Sequence, residues 1–204
     1  MIKMANEGTL VTEFDEYKVT NGSVQWIKQN DGSREAATKL GCVGKLETET
    51  EVKTVTKKCE GVVVAEYNIP QKMTGTFTGK MPVAVLRRGF GIKTDGLKKG
   101  VYGYGTSSVP SEGTMTFDVF DLFEEVQKML AFPISSFSGG LKWSLENGSE
   151  EFADVEISLL FVKDSNNFFY YEAFTSEVDN DEVKEKWHTE FTPELVKEEP
   201  PTPK

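Results

Sequence analysis

Residues 45–59, KLETETEVKTVTKKC, constrain the fold more than any other stretch. The even positions are Leu46, Thr48, Thr50, Val52, Thr54 and Thr56. The odd positions are Glu47, Glu49, Glu51, Lys53, Val55 and Lys57. Successive side chains of a β-strand point to opposite faces, so this period-two pattern predicts a long strand with one threonine-rich face and one charged face. Neither face is greasy enough for an ordinary core. The strand's surroundings must be completed by something other than internal oil.

The rest of the chain is long enough to bury a core. Its 204 residues fit one domain, and its formal charge of −10 with a pI near 4.8 narrows its partners. A polyanion-binding surface must be basic, so wrapping a nucleic-acid backbone or docking on anionic lipid is disfavoured. No apolar run approaches the roughly 20 residues that span a bilayer. The opening MIKMANEGTL lacks the apolar centre of a secretory signal, which predicts synthesis and retention in a cytoplasm, or release from it without the secretory route. Cys42 and Cys59 are too few for a disulfide framework and lack C-x-x-C spacing, so they read as structural thiols packed like small hydrophobes.

Along the chain, residues 1–15 show no sustained period and read as an N-terminal arm, residues 16–175 as a β domain, and residues 176–204 as an acidic C-terminal arm with a frayed end. Asn21-Gly22 carries hairpin chemistry. After the polar loop 29–38, the long strand turns near Lys58–Gly61 into VVVAEY (62–67), which reads as a buried strand. NIPQ breaks it, and KMTGTFTGKM (72–81) alternates again, giving a three-strand meander. PVAVLRRGFG opens with proline and ends in glycines, the signature of a short helix. Residues 93–113 read as a loop with a short strand at GVYGYG. TMTFDVF alternates. DLFEEVQKML has helical spacing and predicts a second helix or a bent element. GGLKWSL, EEFADVEISLLFV and FFYYEAF read as strands separated by turns at Asn147-Gly148 and Asn166-Asn167. Ten of the fourteen phenylalanines fall between Phe117 and Phe174, so the core is expected there. Residues 176–204 hold nine acidic residues and four lysines, half of the net charge.

Catalytic and ligand chemistry has little to stand on. His188 is the single histidine and reads as a solvated side chain in a charged tail. GFG (89–91) and GYG (103–105) lack the rest of a phosphate-binding fingerprint. Carboxylates at 47, 49 and 51 lie on a line rather than around a curved loop, so they do not read as a cation site. No enzyme motif, cofactor site or metal cluster is expected. The basic group Arg87, Arg88, Lys93, Lys98 and Lys99 reads either as a solvated loop or as a surface complementary to the acidic face of another copy.

Strand 45–57, the segment EYNIPQKMTGTFTGKMP with the short helix after it, GGLKWSLENGSEEFADVEISLLFVKDSNNFFYYEAF and WHTEFTPELV together resemble the major tail, or tail-tube, proteins of long-tailed bacteriophages of Gram-positive bacteria. The resemblance covers roughly residues 40–195. It implies a mainly β, tail-tube-type sandwich or partial barrel with one or two short flanking helices and extended terminal arms. It further implies six-copy rings stacked into a virion tail tube, through which DNA passes during ejection without specific binding. Terminator, tape-measure and distal tail proteins are the implied partners, with no membrane and no cofactor. Glu47, Glu49, Glu51 and Lys53 would line the lumen. Arg87, Arg88, Lys98, Lys99, Trp187 and Phe191 would meet neighbouring subunits. Which face of strand 45–57 looks inward stays open, although Leu46 and Val52 make the even face the more buriable.

Two other readings compete. One is a solitary β-sandwich with a solvated polar edge. The other is a carbohydrate-binding or virion decoration module stacking its ligand on Trp26, Trp143, Tyr102 and Tyr104.

Overall fold

The computed structural model describes residues 10–142 and 154–198. It is mainly β, with one antiparallel sheet and two short helices. The strands are β1 (Lys18–Trp26), β2 (Thr38–Lys39), β3 (Cys42–Cys59), β4 (Val62–Lys80), β5 (Glu112–Phe120), β6 (Gln127–Ser138), β7 (Val155–Val162) and β8 (Tyr171–Phe174). Helix α1 (Val83–Gly89) follows β4, and α2 (Asp181–Lys186) follows β8. The spatial order is β2-β1-β5-β6-β7-β4-β3, with β8 paired to the first half of β6. The sheet curls until β1 meets the start of β3. A Cβ on Gly22 would lie 3.0 Å from Val43 and 3.1 Å from Phe117, so the close approach leaves little room for a side chain there.

Irregularities in the ladder decide which side chains face inward. A bulge between Thr20 and Ser23, with Asn21 at φ 52°, shifts β1 by one position against β5. Val19 and Val24 therefore contribute to one core despite their odd spacing. A second bulge lies opposite Gly113–Met115, where Pro133 sits in β6 and needs no ladder donor. It turns Phe132 and Phe137 to the same side. The resulting inner core holds Phe77, Phe117, Phe132, Phe161, Leu159, Met115 and Trp26, and Phe132 stacks on Phe161 at 4.1 Å. Helix α1 closes one flank, with Gly89 so close to Phe137 that an added Cβ would fall 2.1 Å from its ring.

A second core forms on the opposite face of the sheet. Met129 and Ala131 of β6 meet Val183, Trp187 and Phe191 there. Asn180 caps α2 by accepting a hydrogen bond from the Glu182 amide, and the segment beyond it presses its aromatics onto the sheet. Trp187 Nε1 donates to the Leu130 carbonyl at 3.2 Å.

Several expectations fail for identifiable reasons. Asn21-Gly22 is a bulge inside β1 rather than a hairpin turn. NIPQ does not interrupt its strand: a register shift places Pro70 where no third strand needs its donor, so β4 runs through and the expected meander is one long hairpin. VVVAEY is exposed, with Val62, Val63 and Val64 at 66%, 49% and 54%. Of the two alternatives for DLFEEVQKML, the bent element holds and the helix does not: it turns at 121–126 and enters β6, where Met129 and Leu130 serve opposite faces of a sheet. GVYGYG supplies only the bridge Lys93–Gly103. Cys42 and Cys59 are exposed rather than packed. Helix α1 lies where its sequence places it, and the Asn166-Asn167 turn is built on Asp164, which accepts from the amides of Asn166 and Phe168 at 2.8 and 3.1 Å and from the Tyr171 hydroxyl at 2.6 Å. Burial, and then that bond to Asp164, pushes the Tyr171 phenol up to about 12. The expected turn at Asn147-Gly148 and most of GGLKWSL lie outside the described residues.

Candidate assembly surface

The β3–β4 hairpin is two structures in one. Its base is anchored, because β4 pairs β7 from Met73 to Gly79. Beyond Glu51 and Lys72 the two strands pair, among the described residues, only with each other, from Val52–Pro70 to Cys59–Val62. Eight residues at roughly 3.3 Å each make a ribbon projecting about 26 Å. Glu60 and Gly61 close it with φ of 49° and 83°, the two-residue turn that matches strand twist. The ribbon exposes Val52, Val55, Tyr67 and Ile69 together with the three valines at its tip. Thr54 and Asn68 bridge its two strands at 2.8 Å.

At the base, parity is resolved. Leu46 lies opposite Phe77 and packs against the inner core, while Thr48 and Thr50 lie opposite Gly75 and Met73. Glu47, Glu49 and Glu51 face the other way, opposite Thr76, Thr74 and Lys72. The ladders continue this outer face across the sheet in two rows. One runs Glu47, Thr76, Ser158, Ser138 and the next runs Glu49, Thr74, Leu160, Ser136. The second core covers the opposite end of this face and, among the described residues, leaves these rows partly or fully exposed. Lys72 meets Glu51 at 3.2 Å and Lys45 meets Glu47 at 2.7 Å, both pairs half exposed and so worth little individually. Lys53 sits beyond the base, opposite Ile69 in the free ribbon. β3 also ends the sheet, and among the described residues no strand pairs its outer edge.

The other expected interface residues separate into two groups. Arg87 stacks over the Tyr102 ring at 3.5 Å, and Arg88 is held by both carboxylate oxygens of Glu35 at 2.6 and 2.7 Å. Lys98 and Lys99 stand exposed on the loop after α1. Trp187 and Phe191 are a correction. They are 1% and 0% exposed, covered by the chain's own sheet, and so fasten the C-terminal segment instead of facing a neighbour. Residues 10–16 run along the same region: the Val11 amide donates to Glu177 at 2.6 Å, Phe14 meets Phe174 edge-on, and Glu16 pairs with Lys128.

His188 is a second correction. It is half-buried against β1 and β5, with Nε2 at 2.8 Å from Asp118 Oδ1 and Nδ1 at 2.9 Å from Thr116 Oγ1. Burial pushes the Asp118 carboxyl up, but bonds from His188, Asn21 and Gln127 outweigh it and hold it below the usual range. A hydroxyl, an imidazole and a carboxylate in line have the composition of a nucleophile relay. Thr116 is fully buried in the sheet, however, and no substrate reaches it. No periodicity foretold this cluster; only the alternating Thr114, Thr116 and Asp118 on a strand whose other face is apolar hinted at a buried polar partner. The stacking set of the carbohydrate reading is dispersed, with Trp26 in the inner core, Tyr102 under Arg87 and Trp143 outside the described residues. Among the described residues no three metal-ligating side chains converge, and no helix is long and apolar enough to cross a membrane.

No known family matches the sequence, and no curated protein matches it either. Solved structures of low similarity do. The tube-terminating cap of the anti-feeding prophage aligns at 10% identity and TM-score 0.43, covering 85% of this chain and 99% of that one. The sheath–tube complex of an extracellular contractile injection system in the extended state aligns at 10% identity and TM-score 0.41, over 75% and 88% of the two chains. The six-fold symmetrised baseplate of the anti-feeding prophage gives 9% identity and TM-score 0.39, over 75% and 92%. Likenesses this distant carry no functional argument.

Proposed function

We propose that this chain is a structural, non-enzymatic tail protein whose copies close into rings, six to a ring, and stack into a virion tail tube. The observation that carries this reading is the bare polar face of β3, β4, β7 and β6, which continues into a ribbon apolar enough to need a partner. A lone soluble monomer gains nothing from about 26 Å of unpaired hairpin with exposed valines, and it risks uncontrolled edge pairing. In a ring the open edge of β3 meets the next copy, and heterologous contacts that close need no further capping. The two rows headed by Glu47 and Glu49, with Glu51 beside them, then line the channel, with Lys53 towards the ribbon. Carboxylates repel phosphate, so DNA slides through without being held. Arg87, Lys98 and Lys99 supply positive charge for the acidic surface of a neighbouring copy, and terminator, tape-measure and distal tail proteins would bound the tube.

Negative-stain electron microscopy of the purified protein at high concentration tests the reading directly: hollow tubes are expected, and uniform monomers would overturn it. A variant with Glu47, Glu49 and Glu51 all changed to lysine is expected to assemble nearly as well yet eject DNA poorly. Full infectivity of virions built from it would remove these residues from the lumen.

A further inference from the structure

Among the described residues, one buried side-chain polar atom has no hydrogen-bond partner, the amide nitrogen of Gln25 on β1. Gln25 is 1% exposed. Its cross-strand neighbour Thr114 is already engaged, donating to the Pro133 carbonyl at 2.8 Å and accepting from Arg34 Nε at 2.7 Å. Exchanging the two ends of the amide leaves its oxygen unmatched at the same place. An unmatched buried amide lowers stability, and an apolar side chain of the same shape would not.

Gln25 faces a cleft. Ser23, two residues earlier on the same face of β1, reaches the His188 carbonyl at 2.9 Å, which places this face under the C-terminal segment. Between that segment and residues 34–37 lies an open cleft of about 1200 Å³, and Gln25 is part of its lining. Pockets that enclose small ligands run to roughly 300–1,000 Å³, so this one suits something longer. Its charge is uneven. Glu182, Glu190, Glu194 and Glu198 line it from the C-terminal segment against two lysines, Lys186 and Lys197, while Arg34 and Glu35 offset each other on the facing wall. Glu182 and Glu190 share Lys186, Glu194 meets Lys197, and Glu198 has no cationic partner among the described residues.

We propose that this cleft binds an extended, lysine-bearing segment of a partner protein, whose backbone pairs with Gln25 and whose ammonium groups meet Glu190, Glu194 and Glu198. A peptide unit presents both a carbonyl and an N–H, so it matches Gln25 whichever way the amide lies. A bare anion or cation matches only one end. Ala36 and Ala37, across the cleft, are small enough for a backbone to lie close. An extended chain sends alternate side chains to one side, so lysines at every second position reach the acidic wall together. This inference does not depend on the tail-tube reading.

Isothermal titration calorimetry of the full-length protein tests it, with a capped peptide of alternating alanine and lysine, about eight residues long, as the probe. Saturable one-to-one binding that weakens with salt is expected, and none of the alanine–glutamate counterpart. Gln25→Met keeps the shape and removes the amide. It should weaken binding about three- to tenfold, the range for one hydrogen bond, while the melting temperature holds or rises. Glu194→Gln/Glu198→Gln, with Gln25 intact, should also weaken binding and flatten its salt dependence. Absence of saturable binding, or equal binding of both peptides, would overturn the proposal. So would unchanged affinity in Gln25→Met, which leaves the amide to a bound water, or a lower melting temperature there, which shows that the amide already had a partner.

Discussion

Asp118 shows how one side chain ties two distant parts of the chain to the sheet. Its two oxygens serve His188 and Asn21, which lie 70 residues after it and 97 before it. Its carboxyl is held below the ordinary range, so the stability it contributes is present above about pH 4, the unfolded value, and disappears as pH falls through the depressed folded value. Asp118→Asn keeps the size and loses the charge. It is expected to cost about 1–3 kcal/mol at neutral pH, the range for a buried partner left unsatisfied. Denaturant titrations of the variant and the parent should then begin to converge below about pH 4 and meet once pH has passed through the depressed folded value, because a protonated aspartic acid resembles asparagine. A gap that persists in acid would assign the loss to packing and not to charge.

At the scale of elements, the β3–β4 hairpin divides cleanly into a base that the core needs and a ribbon that it does not. Val52 and Pro70 stand directly opposite each other, so replacing residues 53–69 with Asn-Gly closes the hairpin with a favoured turn. No residue of the inner core is removed, and the melting temperature is expected to stay within a few degrees. Polymer should be lost, because the removed surface is the one left unpartnered. Size-exclusion chromatography beside thermal melting separates the two effects, and undiminished tubes would relieve the ribbon of any assembly role. This division was partly legible in sequence. The polarity of 45–57 foretold an unburied strand because alternation is a local signal. The fate of VVVAEY was not, since a short apolar run reads alike whether a core or nothing covers it. DLFEEVQKML left helix and bent element both open for a related reason: Met129 and Leu130 are both sequestered, but by cores on opposite faces, and two-sided burial mimics a helical period. The glutamates of the bare face were visible by parity, whereas His188 was missed because its partners come from strands far away in the chain.

For the whole molecule, two electrostatic effects oppose each other in any self-assembly. Each copy carries a formal charge of −10, so approach is resisted over the length that salt fails to screen. Against this stands local pairing of Lys98 and Lys99 with a neighbour's carboxylates, which salt weakens. Arg88 has already been spent on Glu35 and adds little to it. Exposed pairs contribute only about 0–1 kcal/mol each, while repulsion between whole copies sums over every charge within range. Repulsion should therefore win at low ionic strength. Raising salt from 10 to 100 mM shortens the screening length from about 30 Å to about 10 Å, close to the spacing of groups across a contact. The critical concentration for polymerisation is expected to fall several-fold over that interval, measured by pelleting or light scattering, and to change little in Lys98→Ala/Lys99→Ala. If salt instead raises it, and the double variant abolishes that response, the lysine loop holds neighbouring copies together and the apolar ribbon is secondary.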